Sequence, residues 1–194
     1  MLKIGITGGI GSGKTTVCKV FELFGVPVYY ADDEAKKILD ANTEVKEQIA
    51  QLFGVEIFDN TQLVDRKKLA ALVFNDKKKL EQLNSIVHPA VGRHFENWLQ
   101  EYASSKYILK EAAILFESDA YRAVDKVIAV VAPVELKIMR VMKRDKSTRQ
   151  QIEQRMNNQL SDDEIIKRSQ YLIHNDEQQL TIPQIINIHK QLIL

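Results

Sequence analysis

Residues 8–15 are Gly8-Gly9-Ile10-Gly11-Ser12-Gly13-Lys14-Thr15, which matches the phosphate-loop pattern G-x-x-x-x-G-K-[S/T]. Glycines let successive backbone N–H groups turn inward around phosphate oxygens, and a following helix points the positive end of its dipole at the same anion. A glycine-rich turn that merely joins a strand to a helix is the alternative, but it gives no reason for Lys14 and Thr15 to follow directly. The segment therefore predicts a site for nucleotide phosphates.

The residues on either side supply the strand and helix that such a loop requires. Residues 2–7 form a short, strand-like run, and residues 14–24 carry apolar side chains at helical spacing. Gly25 ends this helix, and residues 26–30 read as a second strand. The N-terminal part is thus a β-α-β unit.

Each residue type in the loop has a predicted task. Lys14 would reach the β- and γ-phosphates, the Thr15 hydroxyl would bind Mg²⁺, and Thr16 would help to hold the α-phosphate. The predicted nucleotide-binding residues of the loop are Gly9, Ile10, Gly11, Ser12, Gly13, Lys14, Thr15 and Thr16.

The rest of the chain continues the alternation of strands and helices. Helical periodicity dominates residues 33–105, whereas residues 107–112, 126–131 and 171–173 are short apolar runs that suit buried parallel strands. A charged, arginine-rich helical stretch lies between the last two of these runs.

The last helix is predicted to begin at Pro183, which suits a first helical position. Its apolar stripe is predicted to consist of the following residues: Ile182, Ile185, Ile186, His189 and Ile193.

We therefore expect a three-layer α/β fold of the P-loop NTPase and nucleotide-kinase type, with a five-stranded parallel sheet. The chain would form one P-loop kinase domain over residues 1–194. Residues 33–105 would be a helical insertion that binds the phosphoryl acceptor, and residues 140–168 would form an arginine-rich helical lid.

Composition limits the partners and the compartment. The chain has 194 residues with 27 Lys and Arg against 26 Asp and Glu, so its overall charge gives no case for binding nucleic acid or an anionic membrane. The single cysteine, Cys18, cannot form an intrachain disulfide, which favours a reducing compartment such as the cytoplasm. No apolar run approaches the roughly 18 residues of a membrane span, and the first residues show no signal-peptide pattern.

Two neighbouring aspartates compete for the role of general base. Asp32 follows the second strand, at the sheet edge where the phosphate loop lies, and its carboxylate could accept the proton of an attacking hydroxyl. Asp33 is the alternative, although it could instead cap the next helix or lie in its first turn. The residues alone leave both open.

The remaining motifs favour a kinase of small molecules. The Asn-Lys-x-Asp of a GTPase is absent, and no long apolar strand ends in the Asp-Glu of a motor ATPase. Kinases of this fold have a helical acceptor region and lid arginines that neutralise the transferring phosphoryl group. The alternatives are a kinase of another nucleoside or metabolite and a non-catalytic, nucleotide-dependent binding module.

At this point the sequence resembles the dephospho-coenzyme A kinase family over nearly its whole length. The matching segments are residues 7–16, Tyr30-Ala31-Asp32, Ile86-Val87-His88-Pro89, Ile114-Leu115-Phe116-Glu117, the arginine-rich region with Thr148 and Gln159, and Ile173 with Asn175. The chain departs from the family pattern at three positions. Tyr30 replaces the first aspartate of Asp-Ala-Asp, Ala113 replaces a proline, and Glu111 stands where an aspartate is usual.

The resemblance implies roles for residues outside the loop. Asp32, Lys14 and Arg140 would be catalytic, and Arg144 and Asn175 would join the nucleotide site. Residues implied to contact the acceptor are Thr7, Asp32, His88, Pro89, Glu111, Leu115 and Arg155. His88 is expected at the end of a helix, because Pro89 follows it.

The resemblance also implies the reaction: the γ-phosphoryl group of ATP passes to the ribose 3′-hydroxyl of dephospho-CoA, with Mg²⁺, giving CoA and ADP. The partners would then be these small molecules, with no nucleic acid and no membrane. The expected assembly is a monomer or a weak homo-oligomer.

Overall fold

The computed structural model describes residues 1–73 and 76–194. Residues 74 and 75, which belong to the predicted helical insertion, lie outside the described residues. The described chain divides into two compact units, of which the first comprises Met1–Tyr30 and Tyr102–Leu194 and the second comprises Ala31–Glu101.

The first unit contains a sheet of five strands. They are β1 (Leu2–Thr7), β2 (Val28–Tyr30), β3 (Tyr107–Glu111), β4 (Lys126–Val131) and β5 (Tyr171–His174). The strands lie in the order β2-β3-β1-β4-β5, and every pairing is parallel. The predicted five-stranded parallel sheet is thus confirmed within the described residues.

The helices of the first unit follow the strands in chain order. They are α1 (Lys14–Leu23), then α6 (Val134–Asp145), α7 (Arg149–Asn157), α8 (Asp162–Lys167) and α9 (Thr181–Ile193), with a short 3₁₀ helix at Ala120–Ala123. The predicted charged stretch is therefore three helices rather than one. Their boundaries have local causes: the Thr148 and Ser161 side chains cap α7 and α8 by accepting backbone N–H groups.

The main apolar core lies between one face of the sheet and two helices, α1 and α9. Ile4 and Ile6 of β1 are fully buried there against Phe21 of α1 and Ile185 of α9. Cys18 belongs to the same cluster and is a free, buried thiol. On the opposite face of β1, Leu115 and Val124 cover Gly5, and α8 contacts β4, which completes the expected three layers.

The second unit is helical throughout its described elements. It contains α2 (Ala31–Ala41), α3 (Thr43–Phe53), α4 (Arg66–Val73) and α5 (Lys77–Glu101), with a short 3₁₀ helix at Val55–Ile57. α5 packs against the other three helices, and Ile49 and Ile57 are fully buried in the apolar cluster that they share.

Two predicted helix boundaries are wrong. α5 runs through Pro89, so His88 lies inside a helix and not at its end. Proline removes one backbone hydrogen bond, but Pro89 and Ser85, whose carbonyl loses its donor, are both exposed, so water can replace that bond. α9 begins at Thr181 and not at Pro183, which occupies its third position.

The predicted apolar stripe of α9 is also only partly correct. Ile185 is buried as expected, but Ile188 and Leu192 complete the buried face, while Ile182 is exposed. The stripe therefore follows positions 185, 188 and 192, the spacing of one helix face, and the half-buried His189 lies at its border.

Candidate active site

The phosphate loop joins the carboxyl end of β1 to the N-terminus of α1, and its shape requires glycine at two positions. Gly11 and Gly13 have φ angles of +80° and +97°, which side-chain-bearing residues rarely adopt. A Cβ atom on Gly11 would lie 2.5 Å from the Lys137 carbonyl oxygen, and one on Gly13 would overlap the Asn175 amide nitrogen. The loop is therefore packed closely against α6 and the end of β5.

Lys14 is the first residue of α1, and its side chain folds back over the loop. Its Nζ donates to the carbonyl oxygen of Gly8 at 2.8 Å and to that of Gly9 at 3.5 Å. The side chain is buried, so these carbonyls compensate for the loss of water around the ammonium group. This positive charge is held inside the turn of the loop.

Ser12 provides a test of whether the loop suits an anion. Within the described part of the chain, its hydroxyl oxygen is buried and has no hydrogen-bond partner. Buried hydroxyl groups are normally satisfied, and an unsatisfied donor beside a lysine fits a phosphate oxygen. The exposed Thr15 and Thr16 follow Lys14 in the first turn of α1, where N–H groups lack intrahelical acceptors. The residues present thus fit the phosphates of a nucleotide.

Asn175 connects the phosphate loop to Arg140. Its Nδ2 donates to the Ser12 carbonyl at 2.8 Å, and its own carbonyl accepts from Arg140 Nη1 at 3.1 Å. Arg140 also pairs with Glu177 at 3.2 Å. Two residues that the resemblance implies, one for the nucleotide and one for catalysis, are thereby brought next to the loop.

The other two predicted lid arginines converge on Asp145 instead. Arg144 Nε lies 2.6 Å from Asp145 Oδ1, and Arg155 Nη1 lies 3.4 Å from Asp145 Oδ2. The hydrogen bond from Arg144 is the main reason that the pKa of Asp145 is held below its usual range. In this structure Asp145 links Arg144 on α6 to Arg155 on α7, and Arg140 belongs to a separate cluster.

Three predicted acceptor residues of the first unit lie at or behind the carboxyl edge of the sheet. Thr7 and Glu111 are buried at the ends of β1 and β3, and Glu111 is in register with Ile6 and Tyr30 on the neighbouring strands. Leu115 is fully buried against Gly5. Glu111 is therefore a buried carboxylate at the end of the sheet where the phosphate loop begins.

Tyr30 does not replace the missing family carboxylate with another negative charge. Burial first, and then neighbouring Cys18 and Glu22, raise the pKa of its phenol, and a hydrogen bond to Glu22 contributes in the same direction. The Tyr30 side chain is consequently neutral at physiological pH.

The remaining predicted residues belong to the second unit. Asp32 and Asp33 are exposed in the first turn of α2, so Asp32 lies in a helix rather than in a loop after β2. The Asp33 carboxylate accepts a hydrogen bond from Lys36 Nζ at 2.7 Å. On α5, His88 is half-buried and burial lowers its pKa, whereas Pro89 is exposed.

One feature beside the loop escaped the sequence analysis. Lys137 of α6 is buried and pairs with Asp162 of α8 at 2.8 Å, and both line a cavity of about 550 Å³ that includes Gly9. The available signal was weak: Lys137 precedes Arg140 by one helical turn, and Ser161 with Glu164 marks a helix start at Asp162.

A parallel sheet whose first strand ends in this glycine loop, with a lysine inside the loop and arginine-bearing helices beside it, defines a P-loop kinase. Comparison with known proteins gives the family. The family model CoaE, Dephospho-CoA kinase, matches residues 2–181. A dephospho-CoA kinase from Bacteroides fragilis (strain YCH46) is 39% identical over 187 residues, covering 96% of this chain and 91% of that protein.

Two solved structures agree with this result. The crystal structure of TT1252 from Thermus thermophilus has a TM-score of 0.85 and 31% identity, covering 99% of this chain and 96% of that chain. Dephospho-CoA kinase from Campylobacter jejuni has a TM-score of 0.71 and 26% identity, covering 97% and 96% of the two chains.

The chain belongs to the dephospho-CoA kinase family. It is therefore an ATP-dependent phosphotransferase of coenzyme A biosynthesis, as the resemblance predicted. The described residues contain no helix that is both long and apolar enough to span a membrane.

Proposed function

We propose that this chain transfers the γ-phosphoryl group of ATP to the ribose 3′-hydroxyl of dephospho-CoA, giving CoA and ADP. The observation that carries the proposal is the phosphate loop, in which a buried Lys14 ammonium and an unsatisfied Ser12 hydroxyl lie within a turn closed by Gly11 and Gly13. A loop built in this way binds the triphosphate chain of a nucleotide.

In this proposal Lys14 leaves the Gly8 carbonyl and binds the β- and γ-phosphates. Its role is electrostatic, because the transferring phosphoryl group spreads negative charge over its equatorial oxygens. Mg²⁺, when bound, would neutralise part of that charge, and the Thr15 hydroxyl is the residue of the loop that would hold it. The buried Glu111 carboxylate is placed at the same sheet edge to orient acceptor or metal-bound water.

Asp32 is proposed as the general base. The oxygen of the 3′-hydroxyl forms the new bond to the γ-phosphorus, the bond from that phosphorus to the β,γ-bridging oxygen breaks, and the hydroxyl proton passes to the Asp32 carboxylate. Asp33 suits this role less well, because Lys36 already engages its carboxylate. The order of the chain supports Asp32 as well, since it follows β2 by only two residues.

Arginines would complete the site. Arg140 is already held beside the phosphate loop by Asn175, whereas Arg144 and Arg155 would have to exchange Asp145 for the phosphates. Exposed ion pairs contribute little free energy, so a triphosphate can compete with this carboxylate. Residues 140–168 would then act as the lid, and residues 33–105, with His88 and Pro89, would supply the acceptor site.

The remaining parts of the proposal concern where the enzyme works and with what. Its partners are small molecules, without nucleic acid or membrane, and its assembly is a monomer or a weak homo-oligomer. The free, buried Cys18 and the near-neutral net charge support a cytoplasmic location.

The test separates Asp32 from its neighbour. Asp32→Asn should lower kcat by about 10³-fold, as expected for loss of a general base, and leave ATP affinity unchanged. Asp33→Asn is the matched control and should keep kcat within about twofold, since it removes only an exposed pair with Lys36. Equal loss in both variants, or full activity of Asp32→Asn, would contradict the assignment.

A further inference from the structure

Gln159 is the residue outside the phosphate loop that engages one of its backbone N–H groups through a side chain. Its Oε1 accepts the N–H of Ile10 at 2.8 Å, while its Nε2 donates to the Ala113 carbonyl at 3.1 Å. Both bonds are partly buried, and they span 149 and 46 positions of the chain. One side chain thus bridges the phosphate loop and the segment that follows β3.

The segment around Gln159 is itself fastened on both sides. The next residue, Leu160, donates its backbone N–H to Glu117 Oε1 at 2.8 Å. Two positions later, Asp162 pairs with the buried Lys137 at 2.8 Å. Gln159 therefore does not hang from a loose connection between α7 and α8, and its amide is held ready for the loop by its surroundings.

We propose that Gln159 is a positioning residue for the nucleotide: by holding the Ile10 N–H, it fixes the first half of the phosphate loop so that the later N–H groups, up to the start of α1, face the phosphates. The inference rests on the proposed role of the loop in binding ATP. Glycines give the loop freedom to move, and that freedom would have to be lost on binding unless something else restrains the loop. The two hydrogen bonds of Gln159 provide that restraint in advance.

The first test is the affinity of the protein for the β,γ-imido analogue of ATP with Mg²⁺, measured by calorimetry without any acceptor. Gln159→Leu keeps the size of the side chain and removes both hydrogen bonds, so affinity should fall about tenfold. Gln170→Leu is the matched control, because Gln170 also accepts a backbone N–H, that of Val127 at 2.8 Å, but at the start of β5. The control should change affinity less than about twofold.

Steady-state kinetics give a readout that a purely structural role would not move. In Gln159→Leu the KM for ATP should rise about tenfold while the KM for dephospho-CoA stays within about twofold. Equal changes for both substrates, or equal loss of affinity in Gln170→Leu, would overturn the proposal. Because analogue binding is measured without acceptor, it is independent of whether dephospho-CoA is the acceptor.

A measurement on the unchanged protein applies even if Gln159→Leu does not fold. Amide hydrogen exchange followed by NMR should show the Ile10 N–H to be protected without nucleotide, because Gln159 already holds it. Exchange of Ile10 at the rate of an open, solvated loop would overturn the proposal.

Discussion

Asn175 Nδ2 donates a hydrogen bond to the Ser12 carbonyl at 2.8 Å, which fastens the end of the last strand to a phosphate loop 163 positions earlier in the chain. The contact brings Asn175 so close to Gly13 that a side chain on Gly13 would overlap its amide. The structure of the loop thus depends on contacts made by the C-terminal part of the first unit.

Gly13→Ala should abolish ATP binding. The substitution places a methyl group against Asn175 and imposes a φ of +97° on a residue that disfavours it, at a cost of about 1 kcal/mol for the backbone alone. Calorimetric titration with the ATP analogue measures the effect.

Gly25→Ala is the control for backbone strain without overlap. Gly25 has a φ of +75°, but no heavy atom lies within 4 Å of its would-be Cβ. This variant should lose about 1 kcal/mol of stability and still bind nucleotide. Undiminished binding by Gly13→Ala would show that the loop tolerates displacement of Asn175.

Lys14→Met should lower kcat by at least about 10³-fold, because it removes the positive charge proposed to stabilise the transferring phosphoryl group. Lys19→Met is the control, since Lys19 is an exposed lysine of the same helix. It should retain full turnover. A small effect of Lys14→Met on kcat, measured at saturating ATP, would remove Lys14 from the proposed chemistry.

The ion pair between Lys137 and Asp162 should respond asymmetrically to mutation. Asp162→Ala strands a lysine whose side chain is only 4% exposed and should cost about 3 kcal/mol of unfolding free energy. Lys137→Met leaves Asp162, which is 25% exposed and can be hydrated, so its cost should be smaller. Urea denaturation of both variants and of the double variant measures this, and the double variant should be more stable than Asp162→Ala.

Stability should depend on pH through His88. Burial lowers its pKa below the ordinary value of 6.5, so the unfolded chain takes up this proton at a higher pH than the folded protein. The contribution to stability is therefore complete above about pH 6.5 and is lost as the pH falls through the lower, folded-state pKa. His88→Gln should lose less stability than the wild type between neutral pH and about pH 5.

The control for this prediction is His94→Gln, an exposed histidine of the same helix, α5. It retains His88 and should therefore keep that part of the acid-induced loss. Identical pH dependence in the wild type and in His88→Gln would show that His88 does not contribute.

The sequence predicted the sheet well because its strands are short β-branched runs next to strong boundary signals. The strand at 126–131 has the bounds predicted for it, and β1 ends at Thr7, immediately before the glycines of the phosphate loop. The second strand is shorter than predicted, since α2 begins at Ala31 and takes Asp32 into its first turn.

Features that depend on tertiary contacts were not predictable in the same way. Pro89 indicates a helix end locally, yet α5 continues because its proline face is exposed. The pairing of Lys137 with Asp162 and the bond from Gln159 to Ile10 join residues 25 and 149 positions apart. Spacing along the chain does not encode such contacts, because they arise when α6, α7 and α8 pack beside the loop.

The most direct test of the central claim is to identify the product by mass spectrometry and by the position of the new phosphate. The enzyme is incubated with ATP, Mg²⁺ and dephospho-CoA, with nucleoside monophosphates as competing acceptors. We predict that dephospho-CoA alone gains one phosphate, on the ribose 3′-oxygen, and that Asp32→Asn abolishes this product. Phosphorylation of a monophosphate instead, or nucleotide binding without any phosphorylated acceptor, would contradict the account.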